Sequence, residues 1–400
     1  MPMTTEQLND ENPLFWPVQV GTMTLNHRVV LAPMTRCRAI GGIPQQVHVD
    51  HYAQRASPGG LLISEANAVA PESYGFMHSP GIYTEEQVEA WRKVVDAVHA
   101  KGAYIYCQIW HVGRASHTYH QPNGQPPVSA TNKGIQAPFQ ARLEGGHMVP
   151  FSQPRALATE EIPGIVRQYR NAAKNAISAG FDGVEIHAAH GYLVDQFLKD
   201  GINDRTDEYG GSLENRSRFM MEVVNAIISE IGAERTSVRI SPIIDHIGAR
   251  DSNPVDLGLH VIRKLSPLNL AYLHVTEPRF HAKGVTDSPE NCQVYRDEYK
   301  GVFMSSGGFT REEGMKAIGS GYTDLVSYGR AFLANPDLPI RFYFNLALNE
   351  YDRTTFYTHD AVGYTDYPTA NVGGDVRVPQ ALMAESQFGK TVKPIEIEQV

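Results

Sequence analysis

Short apolar runs bounded by glycine or proline recur along the chain, and amphipathic helical patterns separate most of them. Near-continuous apolar strands that alternate with helices are typical of a parallel sheet covered by helices. The pattern predicts eight strands, at residues 29–34, 61–66, 104–109, 183–187, 238–241, 272–275, 302–305 and 324–328. It predicts helices at residues 85–100, 160–179, 213–231, 255–265, 311–319 and 336–348.

Eight strand–helix units favour an α/β fold of the (β/α)8 TIM-barrel type, as a single domain over residues 1–400. A doubly wound sheet is the alternative. It usually stops at about six strands, and no Gly-x-Gly-x-x-Gly follows the first strand here.

The interval between the third and fourth predicted strands is unusually wide. Residues 115–155, called the insertion below, are rich in Pro, Gly, Gln and His and lack a helical period. Long loops in compact domains are usually functional, so we expect an inserted lid or hairpin after strand 3, although a surface loop without a role stays open. Residues 351–368, the C-terminal segment, carry four tyrosines and Phe356 and are expected to pack over one barrel face; residues 370–400 are interpreted as a tail.

Composition narrows the function classes. Lys and Arg number 35 against 44 Asp and Glu, a net charge of −9 without a basic run, which disfavours nucleic-acid or anionic-membrane partners. Three cysteines argue against a disulfide framework or a Cys-based zinc site. No apolar run reaches the length of a membrane span, and no targeting segment is visible, so we expect a cytoplasmic protein.

Two glycine turns fall late in the predicted barrel, where TIM barrels commonly bind phosphate. Gly307 and Gly308 follow strand seven, and Gly329 and Arg330 follow strand eight. Bare backbone N–H groups and a guanidinium suit an anion, so a phosphate site is predicted; ordinary turns are the alternative.

Polar residues also stand where apolar ones are expected. His187 and His190 follow strand four, and they are interpreted as donors to one substrate oxygen beside Tyr192 as a proton donor. A metal pair, for which no third ligand is evident, and packed core histidines are the alternatives. Gln108 and Arg239 lie in apolar strands, so each needs a buried partner: a carboxylate or a cofactor edge.

Six motifs resemble the Old Yellow Enzyme family of FMN-dependent ene-reductases, and within it the plant 12-oxophytodienoate reductases. They are NHRVVLAPMTR at 26–36, QIWHVGR at 108–114, DGVEIHAAHGYL at 182–193, RTDEYGGS at 205–212, SGGF at 306–309 and YGR at 328–330. The stretches TFYT at 355–358 and GYTDYP at 363–368 are similar to the plant branch in particular. His190 also matches that branch, since much of the family has Asn there.

The resemblance implies noncovalent FMN and a role for each matching residue. Thr35 would bond the flavin O4, Gln108 the pyrimidine edge, and Arg239 the N1/C2 side. The remaining implied FMN contacts are Pro33, Met34 and Ala66 along the ring and Gly307, Gly308, Gly329 and Arg330 at the phosphate.

The resemblance also implies the reaction. NADPH would reduce FMN, His187 and His190 would hold the carbonyl oxygen of an enone, and Tyr192 would protonate the α-carbon after hydride reaches the β-carbon. Further substrate contacts are implied at Tyr74, His246, Arg279 and Tyr357. The expected partner is a small-molecule enone, with the chain a monomer or weak homodimer and no metal bound. A reductase of other small enones, a metal-dependent barrel hydrolase and a silent flavin-binding protein are the alternatives.

Overall fold

The computed structural model describes residues 12–278 and 291–370, and within them eight parallel strands close into a barrel. The eighth strand pairs with the first and the fourth pairs with the third, so the ring has no open edge. These are numbered barrel strands 1 to 8: Val29–Leu31, Leu61–Ile63, Tyr104–Trp110, Gly183–Ala188, Thr236–Ile240, Tyr272–Thr276, Phe303–Ser306 and Leu325–Tyr328. The predicted TIM barrel is therefore confirmed, and a doubly wound sheet is excluded.

Barrel strand 2 stops earlier than predicted. It ends at Ile63, and a two-residue strand, Asn67–Ala68, then resumes pairing with barrel strand 3. The Asn67 side chain stabilises the break by donating to Ser64 Oγ at 3.0 Å and to the Gln108 carbonyl at 3.2 Å. The Ser64 N–H makes the last hydrogen bond before the break, to the Tyr106 carbonyl at 2.9 Å, and Glu65 and Ala66 leave the ladder at the C-terminal rim of the barrel.

Helices surround the barrel, and those predicted at 85–100, 160–179, 213–231, 255–265 and 311–319 begin within two residues of the predicted positions. Thr84 and Thr310 each form a capping box at a helix start. The continuous helix predicted at 336–348 is wrong, because Asn345 adopts a left-handed conformation and ends it. The helices are Gln46–Arg55, Glu85–His99, Ile162–Ser178, Leu193–Leu198, Leu213–Ile231, Pro254–Leu265, Gln293–Glu298, Arg311–Gly319, Arg330–Ala334 and Leu338–Phe344. Across the described ranges, none of them has the length and apolar character to cross a membrane.

A short hairpin closes the N-terminal end of the barrel. Val18–Val20 pairs antiparallel with Met23–Leu25, and its apolar side chains pack against the barrel interior around Tyr106 and Tyr272. Its turn residue Gly21 has a φ of 53°, and a Cβ there would lie 2.1 Å from the Glu234 carbonyl oxygen. The chemistry is therefore left to the opposite end.

The insertion covers the C-terminal end of the barrel. It contains the predicted hairpin, formed by Ala141–Arg142 and Met148–Val149, and a parallel pair between Val128–Ser129 and Arg155–Ala156. Its Phe139 and Phe151 pack on an apolar cluster that includes Ala66, Trp110 and Ile247.

Two buried arginines after barrel strand 1 fix the C-terminal segment. Arg36 donates to the carbonyls of Phe356 and Gly363, at 3.1 and 2.7 Å. Arg38 donates to carbonyls at 2.6 to 3.1 Å, namely those of Asp360, Thr355 and Val362. The segment thus packs on the barrel as the aromatic content predicts, while residues 371–400 of the predicted tail lie outside the described residues.

Candidate active site

A tight turn after barrel strand 4 presents the candidate catalytic side chains. His190 and Gly191 have φ values of 56° and 75°. The backbone N–H of His190 donates to Ser241 Oγ at 2.8 Å, and that of Gly191 donates to Asp195 Oδ2 at 2.8 Å. Asp195 is itself paired with the buried Lys199 at 3.2 Å. Residues 187–192 are called the histidine turn below. Ser241 and Asp195 fix its backbone through these two hydrogen bonds.

The structure brings His187, His190 and Tyr192 together. The two imidazole centroids are 5.4 Å apart, and the Tyr192 ring lies 4.9 Å from that of His187. Trp110 packs beneath them, edge-on to Tyr192 at 4.8 Å and stacked on His187 at 6.1 Å. Two potential hydrogen-bond donors, His187 and His190, therefore lie beside one potential proton donor, Tyr192.

The surroundings keep these three groups uncharged. Burial lowers the pKa of His187 and of His190 well below the usual value, and the nearby Arg239 charge lowers both further. The Ala189 N–H lies 3.3 Å from His187 Nδ1, which must accept it, so the neutral His187 ring carries its proton on Nε2. Burial raises the pKa of Tyr192, and its phenol stays protonated at neutral pH.

A metal ion at this turn would need a third ligand. Within residues 12–278 and 291–370, no group of three or more His, Cys, Asp or Glu side chains is arranged to hold a metal ion.

A buried polar layer lies within the barrel near this turn. Arg239 Nη2 donates to Ser306 Oγ at 3.2 Å, while its buried Nε has no hydrogen-bond partner among the described residues. Gln108 Nε2 donates to Glu185 Oε1 at 2.7 Å, and His274 Nδ1 lies 2.9 Å from Glu185 Oε2. Burial opposes ionisation of Glu185, yet His274 and Arg239 keep its pKa below the usual value. An unpaired guanidinium donor here fits an electron-rich cofactor edge, such as that of FMN.

The two glycine turns also meet at the C-terminal rim. Gly307 and Gly308 have φ values of 153° and 81°, and a Cβ on Gly308 would lie 3.5 Å from Arg330 Nη2. Arg330 is exposed, and its Nη1 donates to the Tyr351 hydroxyl at 3.1 Å. Bare backbone beside a guanidinium fits the phosphate of FMN.

The loop after barrel strand 1 lies next to these turns. A Cβ on Gly329 would lie 3.3 Å from Met34 Sδ. Pro33 is buried, Met34 and Thr35 are partly buried, and Ala66 is buried beside Trp110. Every FMN contact implied by the resemblance thus falls at the C-terminal end of a barrel strand or in the loop that follows.

The implied substrate contacts divide into two groups. His246 lies 6.3 Å from His190, and Arg142 of the insertion lies 5.8 Å over the Tyr357 ring, above the pocket. Tyr74 behaves differently: its hydroxyl accepts from Gln87 Nε2 at 3.3 Å, at the start of the helix Glu85–His99. Arg279 lies outside the described residues.

Sequence reasoning missed two aromatic residues of this pocket. Phe76 stacks on Trp110 at 5.7 Å and lies 6.5 Å from Tyr357, so it joins the histidine turn to the C-terminal segment. Phe76 lies two positions after Tyr74, in the same loop. Trp110 stands directly after the predicted strand 3, where its position at a strand end was the available signal.

Comparisons with known proteins identify the family of this chain. A family model described as the NADH:flavin oxidoreductase / NADH oxidase family matches residues 13–349. The Oryza sativa subsp. japonica protein named 12-oxophytodienoate reductase 7 is 57% identical, over 92% of this chain and 97% of that protein. The Arabidopsis thaliana protein named 12-oxophytodienoate reductase 2 is 51% identical, over 92% of this chain and 99% of that protein.

Solved structures are similar over nearly the same span. Morphinone reductase superposes with a TM-score of 0.86 at 43% identity, covering 90% of this chain and 97% of that one. An old yellow enzyme homologue from Zymomonas mobilis superposes with a TM-score of 0.85 at 40% identity, covering 89% and 99%.

Proposed function

Because this chain belongs to the NADH:flavin oxidoreductase / NADH oxidase family, we propose that it is an FMN-dependent ene-reductase that uses NADPH to saturate the C=C bond of α,β-unsaturated carbonyl compounds. The observation that carries the proposal is the grouping of His187, His190 and Tyr192 on one turn near the unpaired Arg239 donor. The substrate class is a cyclopentenone like 12-oxophytodienoate, the compound in the names of the plant relatives.

FMN is held by residues of four loops at the C-terminal rim. Gly307, Gly308, Gly329 and Arg330 would bind the phosphate, and Pro33, Met34, Thr35 and Ala66 would line the ring. Arg239, whose buried Nε has no hydrogen-bond partner among the described residues, would donate to the electron-rich edge of the flavin, where its positive charge would stabilise the reduced state. Gln108 bonds the pyrimidine edge while its Nε2 is anchored on Glu185.

His187 and His190 bind and polarise the substrate. As neutral imidazoles they donate to the carbonyl oxygen, and the electron density drawn onto that oxygen leaves the β-carbon electrophilic. FMN bound here and reduced by NADPH would be the source of the hydride for the β-carbon. Neutral imidazoles suit this role because they donate hydrogen bonds to the oxygen without transferring their protons to it.

Tyr192 supplies the proton that completes the reduction. Its buried phenol stays protonated up to alkaline pH, and it is held edge-on between Trp110 and His187. An acid placed beside the carbonyl donors can protonate the α-carbon as that carbon gains charge.

The surrounding residues select the enone. His246 and Tyr357 line the pocket, together with Phe76 and the Arg142 side chain of the insertion. Tyr74, whose hydroxyl accepts from Gln87 Nε2, keeps its proposed role as a substrate contact. Arg279 keeps its proposed role as a substrate contact. A monomeric or weakly dimeric, cytoplasmic protein stays a prediction.

An absorbance spectrum tests whether the protein binds FMN, on which the proposal depends. Protein purified with added FMN should be yellow, with one flavin per chain, and NADPH should bleach it under anaerobic conditions. Cyclohexenone or 12-oxophytodienoate should then restore the oxidised spectrum, and treatment with a chelator should change neither step. Absence of bound flavin overturns the proposal, and strict zinc dependence would favour the hydrolase alternative. Flavin that enones cannot reoxidise would indicate a silent flavin-binding protein.

A further inference from the structure

A row of four polar side chains connects the interior of the barrel to the histidine turn. Arg239 Nη2 donates to Ser306 Oγ at 3.2 Å, Ser306 Oγ lies 3.5 Å from Thr276 Oγ1, and Thr276 Oγ1 lies 3.1 Å from His190 Nε2. Thr276 and Ser306 are register partners on barrel strands 6 and 7. The contact between the two hydroxyls therefore follows from the sheet itself.

The chemistry of the row gives it a direction. Arginine can only donate, so Ser306 Oγ is an acceptor at that end and must direct its own hydrogen elsewhere. Two acceptors lie 3.5 Å away, Thr276 Oγ1 and the Val275 carbonyl. When Ser306 donates to Thr276, the Thr276 oxygen already accepts one hydrogen bond, and its own hydrogen has an acceptor in His190 Nε2 at 3.1 Å. A neutral imidazole that accepts at Nε2 carries its proton on Nδ1.

The two histidines of the turn then differ in tautomer. His187 accepts the Ala189 N–H at Nδ1 and carries its proton on Nε2, whereas His190 is engaged at Nε2 by Thr276. We propose that Thr276, oriented by Ser306, is a positioning residue that holds His190 in the tautomer protonated at Nδ1, so that this nitrogen donates to the substrate carbonyl. The inference rests on the proposed function, since the acceptor it assigns to His190 is an enone oxygen.

The opposite tautomer of His190, protonated at Nε2, would prevent it from donating to the substrate carbonyl. If His190 donated from Nε2 to Thr276, Nδ1 would hold a lone pair, which repels the lone pairs of a carbonyl oxygen. Only His187 would then donate to the substrate. Thr276 and Ser306 touch neither substrate nor flavin in this scheme; their effect passes through His190.

Histidine tautomers can be read directly by long-range 1H–15N correlation spectra of the FMN-loaded protein labelled with 15N-histidine. His190→Gln identifies the His190 signals by their loss. The wild-type spectrum should show His190 protonated at Nδ1. Thr276→Val removes the hydroxyl at constant shape and should move the His190 proton toward Nε2, whereas Thr276→Ser should retain the wild-type pattern.

Ligand affinity gives a second readout. Binding of p-chlorophenol to the oxidised holoenzyme should weaken about fivefold in Thr276→Val, the scale of one hydrogen bond, and recover in Thr276→Ser. Thr236→Val is the matched control, because it deletes a buried hydroxyl at the N-terminal end of barrel strand 5, where Thr236 bonds the Gly232 carbonyl. This control should change neither the tautomer nor the affinity.

The outcomes separate this inference from the proposed function. A wild-type His190 protonated at Nε2 overturns the inference even where flavin binding and enone reduction are intact. An unchanged tautomer in folded Thr276→Val also overturns it. Should Thr276→Val fail to fold, the wild-type spectrum and Ser306→Ala decide: a shift of the His190 proton toward Nε2 in Ser306→Ala supports the row, and an unchanged pattern removes Ser306 from it.

Discussion

The phenol ring of Tyr192 lies edge-on to the imidazole of His187, with their centroids 4.9 Å apart and their planes at 85°. Both side chains come from one turn of the chain, so the proposed proton donor and a proposed carbonyl donor share a single support. Their proposed roles differ: His187 binds the carbonyl oxygen, and Tyr192 protonates the α-carbon. Substitutions can therefore separate the two roles.

Tyr192→Phe removes one oxygen and keeps the ring that packs on Trp110, so fold and flavin content should be retained. Flavin reduction by NADPH should proceed at nearly the wild-type rate, because that hydride transfer needs no protein acid. Reoxidation by cyclohexenone should slow by about 10²–10⁴-fold, the usual contribution of one well-placed general acid. Stopped-flow absorbance follows the two half-reactions separately.

Tyr299→Phe is the control, since Tyr299 is also a buried tyrosine but packs on Phe303. Because burial raises the pKa of Tyr192, the wild-type enone step should also show no loss of rate between pH 6 and pH 9. Equal slowing of both half-reactions in Tyr192→Phe would make Tyr192 a packing residue only.

His187 and His190 should bind a phenolate and give a long-wavelength charge-transfer band with oxidised flavin. Alanine at either position should weaken p-chlorophenol binding by about tenfold or more, because a hydrogen bond to a charged oxygen is lost, while FMN stays bound. Spectral titration measures the affinity. His99→Ala, which removes an exposed histidine paired with Asp182, should leave it unchanged.

The pH dependence of this affinity is a further check. Since burial lowers the pKa of both His187 and His190, no histidine should titrate in the affinity profile between pH 6 and pH 9. Only ionisation of the phenol itself should appear. A histidine transition near pH 6.5 would contradict the neutral-donor assignment.

Arg330→Ala should release FMN by removing the cation beside Gly308. We expect about a tenfold higher dissociation constant for FMN, with Arg330→Lys in between because an ammonium group lacks the paired geometry of guanidinium. Flavin fluorescence on dilution measures the release. Arg263→Ala, at an exposed arginine paired with Glu298, should retain wild-type flavin content.

Acid should destabilise the fold through buried neutral histidines. Burial lowers the pKa of His27, His111 and His274 to about 4 from 6.5, so between those pH values the unfolded chain binds protons that the folded chain does not. The free energy of unfolding should therefore be constant above pH 6.5 and fall as the pH drops toward 4, by up to about 1.4 kcal/mol per pH unit for each group.

Urea unfolding at a series of pH values measures this slope. His27→Gln should make the slope shallower by one group, because the amide can keep the contact with Ser57 Oγ and does not titrate. An identical slope in the variant would show that His27 is charged in the folded protein.

Arg38→Ala should loosen the C-terminal segment without emptying the flavin site, because Arg38 donates to carbonyls along residues 355–362. Hydrogen exchange should speed up in residues 353–364 and stay unchanged in the barrel strands. The KM for a cyclopentenone should rise several-fold as Tyr357 loses its fixed place. Uniformly faster exchange would indicate global destabilisation instead.

The sequence predicted the barrel well because its strands are apolar on both faces, a signal that survives without tertiary context. It did not predict the helix Gln46–Arg55, whose buried residues are His48, His51, Tyr52 and Arg55. A helix that turns polar side chains inward carries no apolar stripe, and its partners belong to other elements: Glu65 follows barrel strand 2, and Tyr364 lies in the C-terminal segment.

The site residues also fall into a group that the sequence predicted and a group that it did not. His187, His190 and Tyr192 stand out because polar residues follow an apolar strand, and the structure brings them together. Thr276 and Ser306 each stand one position after a predicted strand, and the sequence alone does not relate them to each other or to His190. Only the register between barrel strands 6 and 7 reveals that they connect His190 to Arg239.

Because barrel strand 8 pairs with barrel strand 1, the barrel can close only late in the synthesis of the chain. The ring cannot close until residue 328 has left the ribosome, and Arg36 and Arg38, made near the start, wait for carbonyls some 320 residues later. Until then their guanidinium groups have no protein acceptors in the C-terminal segment and must stay hydrated, since burying them unpaired is costly. The wall that carries Tyr357 is thus among the last parts to assemble, and a chain that stops before residue 355 would close its barrel yet lack one side of its pocket.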